Sequence, residues 1–518
     1  MTHVSRRTLL SGVAGGVVLL GIAGCSSAVE DSKSGTPTSG GTLLGGIGID
    51  LVPANFYTNS NFGVTTIIGL VYESLLLYPL DSLEPQARLA TDWQISDDGL
   101  TVTLNLRKGV TFHSGREFTS KDVAFSLKTY ADPAWNGQMQ STAATIASYD
   151  TSQKHQVVLT LKHPLGNILD LLEVVPIVDS ESIDGLKDGS KYIGTGPFKF
   201  EKWTPNSRLT FTKNDDYWVD GRPYLDGVDI AIVTDTTQLF SQIRSGQVDY
   251  AFGTSFTDNE KLDTSKFTIT KLSGAEEQIY LGANVTADPL DDLTIRQAIA
   301  YAIDRDRIMK EVYRNSGYAV NLPWPKYSTA YDAKLNQTYT LDLAKAKSLV
   351  AKHEGTLPTI PLTYASDIPS YEATAQIIQA NLKEIGITVK LDPVDPATFV
   401  SQLIGAKFKG LWTTFHSWAQ YTPSTLTISA YPFNAAHNAS NYSDAGYTKD
   451  ATTAWQQVDG TSSQAVSAYG AVSQDLLDAL FLIEIGVIED QWVTSSAVSG
   501  VTYTKRHEVI LTDAKLAS

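Results

Sequence analysis

The residues that could support catalysis are few and scattered in this sequence. Cys25 is the one cysteine of the chain, which excludes a cysteine pair or a multi-cysteine metal site. No two of the 8 histidines have the i,i+4 spacing of a helical zinc site. A Gly-x-Ser-x-Gly elbow, a His-Glu-x-x-His motif and a Walker loop are also missing, and Gly194-Thr195-Gly196-Pro197 has Lys199 where a dinucleotide fingerprint needs its third glycine. The sequence therefore predicts no enzyme, and no metal or cofactor site.

Binding chemistry, in contrast, is concentrated in two segments rich in rings and neutral polar groups. Aromatic side chains offer wide stacking faces at low entropic cost, so segment 411–423 is a candidate binding segment. Trp418 is assigned to a binding surface, whereas Trp412 fits a core position equally well. Segment 53–59 is the second candidate, with a plain surface loop as the alternative. The candidate ligand contacts are Asn55, Phe56, Trp412, Phe415, His416, Trp418, Gln420 and Tyr421.

The N-terminus is typical of an exported lipoprotein. Arg6 and Arg7 precede an apolar stretch that ends at Ile22 and is too short for a transmembrane helix, as in a secretory signal. Ile22-Ala23-Gly24-Cys25 has the form of a lipobox, which predicts cleavage after residue 24 and lipid attachment to Cys25. The twin arginines favour the Tat route, with general secretion as the alternative. Residues 25–41 are rich in Ser, Gly and Thr and are expected to be a flexible tether.

Composition limits the partners and the size of the fold. The net charge of −16 disfavours nucleic acid, because a polyanion is repelled by an acidic surface. A chain of 518 residues with 42% hydrophobic residues is long enough for two or three domains. We find no internal repeat.

Strand and helix patterns alternate along the chain. Asp98-Gly99 separates two alternating segments and predicts a hairpin. Thr119 and Asp122 predict a capping box. A single helix is predicted from Asp292 to Val312, and segment 360–391 predicts a right-handed βαβ unit.

Several strings resemble the extracellular solute-binding proteins of the dipeptide/oligopeptide/nickel type (bacterial family 5). They occur in the family's order between about residues 42 and 510, and most of their residues suit turns, cores or buried ion pairs. The matching strings include Val71-Tyr72-Glu73-Ser74-Leu75-Leu76, Gly194-Thr195-Gly196-Pro197-Phe198, Asn214-Asp215-Asp216-Tyr217-Trp218 and Arg296-Gln297-Ala298-Ile299-Ala300-Tyr301-Ala302-Ile303-Asp304-Arg305.

The resemblance implies an α/β, two-lobed periplasmic-binding-protein-like fold with a hinge and an extra subdomain in lobe I. Crossings of the hinge are expected near Ser273 and near Glu484. By analogy the chain would be a monomeric, extracytoplasmic receptor that passes a solute to the permease and ATPase of an ABC importer, with an envelope lipoprotein or sensor on the same fold as the alternative. The implied division is 42–78, 190–270 and 485–518 for lobe I, 79–189 for the extra subdomain, and 271–484 for lobe II.

A departure from the family bears on the ligand. Peptide-binding members usually carry an aspartate a few residues after the cleft tryptophan, and it pairs with the α-ammonium group of the peptide. Gln420 stands at that position here and brings no charge. A neutral oligosaccharide, glycoside or blocked peptide is therefore expected, unless Asp444, Glu277 or another acid replaces the missing carboxylate.

Overall fold

The computed structural model describes residues 37–58, 61–416 and 421–517. The signal segment, Cys25 and most of the tether lie outside the described residues, as do Trp418 and Gln420. The end of the predicted tether belongs to a small sheet, because Pro37–Thr38 pairs with Lys515–Ala517.

The largest sheet in the described part of the chain has seven strands. Its central strand, Thr42–Ile47, is parallel to both of its neighbours. A Cβ atom at Gly46 would lie 2.6 Å from Leu239 Cδ1, so glycine lets a helix pack closely on this strand. The spatial order of the seven-stranded sheet is Phe267–Lys271, Gln491–Ser495, Tyr250–Phe252, Thr42–Ile47, Gly227–Ile232, Arg208–Lys213 and Phe198–Thr204.

A second sheet has six strands, all from the later half of the chain. Glu277–Ala283 and Leu482–Ile488 are buried at every position, as expected for strands covered on both faces. The spatial order of the six-stranded sheet is Gly317–Ala319, Leu482–Ile488, Glu277–Ala283, Leu411–His416, Ile360–Ala365 and Val389–Val394.

A four-stranded antiparallel sheet is formed between residues 90 and 161. Burial alternates along Thr101–Leu106, so one face of this sheet packs inward. Its order is Ala90–Ile95, Thr101–Leu106, Gln156–Leu161 and Ile146–Asp150. Shorter pairings join Leu76–Leu77 to Gln86–Ala87, Thr502–Tyr503 to Val509–Ile510, and Val498–Ser499 to Lys515–Ala517.

Helices cover the sheets, and many begin at a side-chain cap such as Asn61, Asp235 or Ser462. In the described residues no helix has both the length and the apolar character needed to cross a membrane. The α-helices are Phe62–Val71, Ser120–Ala131, Gln140–Ala143, Ile168–Val174, Ile183–Asp188, Thr236–Arg244, Phe256–Asn259, Leu293–Ala302, Arg305–Glu311, Leu343–Val350, Pro369–Glu384, Pro396–Ile404, Pro423–Ser429, Ala445–Trp455 and Ser463–Ala479.

The local predictions are confirmed with one exception. Strands flanking Asp98-Gly99 form the hairpin, and Thr119 with Asp122 forms the capping box. Segment 360–391 is a βαβ unit with parallel strands. The single helix predicted from Asp292 is wrong, because the chain leaves the helical conformation at Ile303 and Asp304 caps a second helix.

Two short crossovers connect the seven-stranded sheet to the six-stranded sheet. Residues 272–276 form the first crossover and residues 489–490 form the second. They lie side by side, because the amide of Leu272 donates to the Asp490 carbonyl at 2.8 Å. Ser273 Oγ also donates to Glu489 Oε1 at 2.7 Å. Two adjacent connections of this kind are suited to a hinge.

The second crossover differs from the predicted one. Glu484 lies inside Leu482–Ile488 and pairs with Tyr280 across the six-stranded sheet. The apolar run continues to Ile488, so the strand continues as well, and the chain turns only at the charged pair 489–490.

The buried apolar residues show which sheets belong together. One large cluster includes Leu43 of the seven-stranded sheet and Leu104 of the four-stranded sheet. A separate cluster, which includes Ile279, surrounds the six-stranded sheet. The four-stranded sheet is therefore attached to the seven-stranded side of the hinge.

Candidate ligand-binding site

Glu73, in one of the family strings, organises a buried polar cluster. Its carboxylate accepts hydrogen bonds from Thr195 Oγ1 at 2.9 Å, Tyr217 Oη at 3.0 Å and Trp218 Nε1 at 2.7 Å. Arg88 Nε lies 3.5 Å from the same carboxylate and supplies the opposite charge. These family residues are thus engaged in structure, and they leave solute contacts to other segments.

The described part of segment 53–59, residues 53–58, is divided between core and surface. Phe56 is 1% exposed. Its ring centroid lies 4.9 Å from that of Tyr57, 5.2 Å from that of Tyr72 and 6.0 Å from that of Tyr192. Asn55 is half-buried, and its carbonyl accepts from the Thr58 amide. The structure therefore places Phe56 in the apolar core of the seven-stranded side and leaves Asn55 beside it.

Trp412 lies in the core of the six-stranded side. Its side chain is fully buried and stacks on Phe408 with ring centroids 4.4 Å apart. The indole also covers Gly282, where an added Cβ atom would lie 2.2 Å from the ring. Of the two alternatives left open for Trp412, the structure favours the core position.

Phe415 and His416 end the same strand on opposite faces. Phe415 is partly buried and lies 6.0 Å from the ring of Tyr371. His416 is 3% exposed, and its ring centroid lies 5.2 Å from that of Phe433. Burial lowers the pKa of His416 to about 3, so the imidazole is neutral at physiological pH.

Tyr421 is the described aromatic residue of segment 411–423 that reaches across the hinge. It is 5% exposed and joins the apolar cluster of the seven-stranded side. Its ring centroid lies 6.2 Å from that of Tyr78 and 6.4 Å from that of Tyr327. The ammonium of Lys505 lies 3.4 Å from the ring centroid of Tyr327 and 5.6 Å from that of Tyr421, and burial lowers the pKa of Lys505 to about 8.

Hydrogen bonds join the two sides next to Tyr421. Thr425 Oγ1 donates to Asp170 Oδ2 at 2.6 Å, while Tyr78 Oη donates to Asp170 Oδ1 at 2.7 Å. Asn167 Nδ2 donates to the Ser424 carbonyl at 3.1 Å. Sequence analysis missed these contacts, because none of these residues belongs to a recognisable motif and their partners are far away along the chain.

A buried turn rich in ionisable residues, 504–508, contacts the first crossover. Lys505, Arg506, His507 and Glu508 are each at most 3% exposed, although a run of ionisable residues is usually solvated. Lys505 Nζ donates to the carbonyl of Gly274 at 3.2 Å. Burial alone would lower the pKa of Arg506, but Glu173 and Glu508 raise it above its usual value. Salt bridges of 3.1 Å to Glu173 and 2.8 Å to Glu508 account for this.

Together these contacts form an interface between the two sides, and the described residues show no catalytic constellation at it. Aromatic faces, neutral hydroxyls and buried charges converge where the two sides meet beside the crossovers. Such a surface can enclose a solute and exclude water from it. A nucleophile with an adjacent base, which acyl or glycosyl transfer would require, is not found there.

The comparisons with known proteins agree with this geometry. The model of the bacterial extracellular solute-binding proteins, family 5 Middle, matches residues 84–440. The chain belongs to this family. The oligopeptide-binding protein AppA of Bacillus subtilis is 27% identical over 419 residues, which cover 75% of this chain and 76% of AppA. Heme-binding protein A of Haemophilus influenzae is 30% identical over 357 residues, covering 62% and 64%.

Solved structures show the same fold. The dipeptide-binding protein of Pseudoalteromonas sp. SM9913, in complex with Met-Leu, has a TM-score of 0.80 at 21% identity and covers 92% of this chain and all of its own. AppA in complex with a nonapeptide has a TM-score of 0.77 at 23% identity, covering 93% of this chain and 100% of AppA. The expected α/β fold of periplasmic binding proteins is therefore confirmed.

Membership of the family establishes the general role. This protein is an extracytoplasmic solute-binding receptor of an ABC importer, and the family is one of binding proteins and not of enzymes.

Proposed function

We propose that the protein captures a small organic solute between two lobes and passes it to the permease of its importer. The observation that carries this proposal is the position of Tyr421, whose ring lies next to those of Tyr78 and Tyr327. The hydroxyl of Tyr327 donates to the carbonyl of Gly274 in the first crossover at 3.3 Å. Because the crossovers are short and adjacent, a rotation about them would move Tyr78 of lobe I away from Tyr421 and Tyr327 of lobe II and admit a solute.

The lobes follow the sheets. Lobe I comprises 42–78, 190–270 and the chain after the second crossover, and the extra subdomain is 79–189. Lobe II is extended from the predicted end at Glu484 to Ile488, since that strand pairs within the six-stranded sheet. The shared apolar cluster supports the attachment of the subdomain to lobe I.

The ligand proposed is neutral, or cationic only at an exposed end. Gln420 brings no carboxylate to the position that peptide-binding members use. Asp444 is exposed, and it caps a helix by accepting from the Tyr447 amide at 2.8 Å, which leaves Glu277 or another acid as the possible substitute. A relative named for binding oligopeptides supports a peptide-like solute, and one named for binding heme supports a solute with faces for stacking.

Calorimetry tests the ligand class. The mature protein is titrated with free di- to pentapeptides, with the same peptides N-acetylated, and with neutral oligosaccharides. We expect the protein to bind the N-acetylated peptides or the neutral oligosaccharides. Submicromolar binding of free peptides that disappears on acetylation would contradict it, and the same titration of a Glu277→Gln variant would then show whether Glu277 pairs with the amine.

We also propose that Cys25 anchors the protein to the outer face of the cell membrane. The unbroken Ile22-Ala23-Gly24-Cys25 pattern supports this. A Cys25→Ala variant should lose diacylglycerol mass and stop partitioning into detergent. In a second variant, Arg6→Lys with Arg7→Lys, export should be slower. Unchanged secretion of this variant would indicate the general secretory pathway and not the Tat route.

A further inference from the structure

A loop of the extra subdomain, residues 163–167, contacts residues 455–458 of lobe II. The amide of Gly166 donates to the carbonyl of Trp455 at 2.6 Å. The rings of His163 and Trp455 meet edge to face, with centroids 4.8 Å apart. The Trp455 side chain also packs on the apolar cluster of the seven-stranded side. Backbone and side chains thus join the two segments, and we call their contact the subdomain contact.

Asn167 uses its whole side chain beside this contact. Its Nδ2 donates to Thr142 Oγ1 at 2.9 Å within the subdomain and to the Ser424 carbonyl at 3.1 Å in lobe II. Its Oδ1 accepts from Trp455 Nε1 at 2.9 Å. The side chain is fully buried, so these bonds replace bonds to water. Separation of the lobes would break the two bonds that reach lobe II.

Gly166 lets the two backbones approach each other. An added Cβ atom at Gly166 would lie 2.9 Å from Ser424 Oγ and would collide with the carbonyl of Gln457. The φ angle of Gly166 lies outside the left-handed region, so an alanine there would be strained by these contacts alone. In the hairpin turn of the subdomain, an added Cβ atom at Gly99 would lie 2.6 Å from Val458 Cγ2. Two loops of the subdomain therefore fit closely against lobe II.

We propose, on the basis of the capture between two lobes proposed above, that the subdomain contact stabilises the closed arrangement and that Gly166 and Asn167 are its positioning residues. Neither 163–167 nor 455–458 belongs to the crossovers, and the two segments lie on opposite sides of the hinge. A rotation about the crossovers therefore separates them. Contacts that exist only in the closed arrangement raise its population, and so raise the affinity for a solute that they do not touch.

Hydrogen exchange and small-angle X-ray scattering of the solute-free mature protein test this role. The amide of Gly166 is protected only while the lobes touch, so mass spectrometry of a peptide that covers 163–168 reports the contact. Gly166→Ala should speed exchange in this peptide by at least about 10-fold and should enlarge the radius of gyration. Gly470→Ala is the matched control, because an added Cβ atom at this exposed helix position meets nothing within 4 Å. Its exchange and scattering should equal those of the wild type.

A second variant separates the hydrogen bonds from the packing. Trp455→Phe keeps a ring beside His163 and removes the Nε1 donor, so it should speed exchange at 163–168 by a smaller factor than Gly166→Ala does. In both variants the faster exchange should be confined to 163–168 and 455–460. A general loss of folding would instead speed exchange throughout the chain and lower the temperature of thermal unfolding, which circular dichroism measures.

Two results would overturn the proposed role of the subdomain contact. One is fast exchange at 163–168 in the wild type, and the other is wild-type exchange and scattering in a folded Gly166→Ala protein. Capture itself is measured separately, by titration of the wild type with the peptides and oligosaccharides. Binding in that titration, together with fast exchange at 163–168, would leave solute capture standing and would remove only the role of the subdomain.

Discussion

Two tryptophans in one segment are expected to respond differently to truncation. Trp412 packs between Phe408 and Gly282, so Trp412→Ala should lower the free energy of unfolding by about 3–5 kcal/mol. Trp418→Ala should weaken solute binding by about 1–3 kcal/mol if its ring is a stacking surface. Urea denaturation and binding-induced tryptophan fluorescence measure the two effects. A large loss of stability in Trp418→Ala, without a selective loss of affinity, would indicate that Trp418 is a core residue and not a ligand contact.

His416 predicts a specific pH dependence. Its folded-state pKa of about 3 lies below the unfolded value, so between these values the unfolded state binds more protons. The stability that this neutral histidine contributes is therefore complete above about pH 6.5 and is lost as the pH falls. His416→Gln removes that titration.

Compared with the wild type, His416→Gln should lose less stability at pH 4.5 than at pH 7.5, and the difference should be about 3 kcal/mol. Chemical denaturation at both pH values measures this difference. His437 is exposed, so His437→Gln is the matched control and should show no such trend. A difference for His416→Gln that stays constant with pH would contradict the buried, neutral state.

At the scale of elements, the break between Leu293–Ala302 and Arg305–Glu311 yields a direct test. Asp304 Oδ1 accepts from the Arg307 amide at 2.9 Å and caps the second helix. Asp304→Ala should cost about 1 kcal/mol in the free energy of unfolding. Lys310→Ala, at an exposed position of the same helix, should change it by less than about 0.5 kcal/mol. Equal effects of the two substitutions would indicate one continuous helix.

Elements were predictable where the signal is local. The hairpin at Asp98-Gly99, the capping box at Thr119 and the βαβ unit rest on turn chemistry and periodicity within short segments. The second crossover was expected near Glu484 by analogy with the family, whereas the fully buried strand continues through Glu484 to the charged pair 489–490. The buried turn 504–508 was missed for a different reason: its partners, such as Glu173, are distant in sequence, and a charge run alone predicts a solvated surface.

For the whole molecule, the hydrogen bond from Thr425 to Asp170 should favour the closed arrangement. Thr425→Val removes this bond and leaves the buried Asp170 with one donor fewer. We expect a larger radius of gyration in the solute-free protein by small-angle X-ray scattering, together with weaker solute binding. Thr452→Val, exposed on a neighbouring helix, is the control. Unchanged scattering and affinity in Thr425→Val would show that the bond does not stabilise closure.

Capture of a solute between the lobes is tested most directly by a crystal structure of the protein purified from its host, after native mass spectrometry has shown a bound small molecule. We expect electron density for that molecule between the seven-stranded and six-stranded sheets, in contact with Tyr421 and with segment 417–420. Density for the molecule on an outer surface, with the contact between Thr425 and Asp170 closed over an interface that holds no solute, would contradict it.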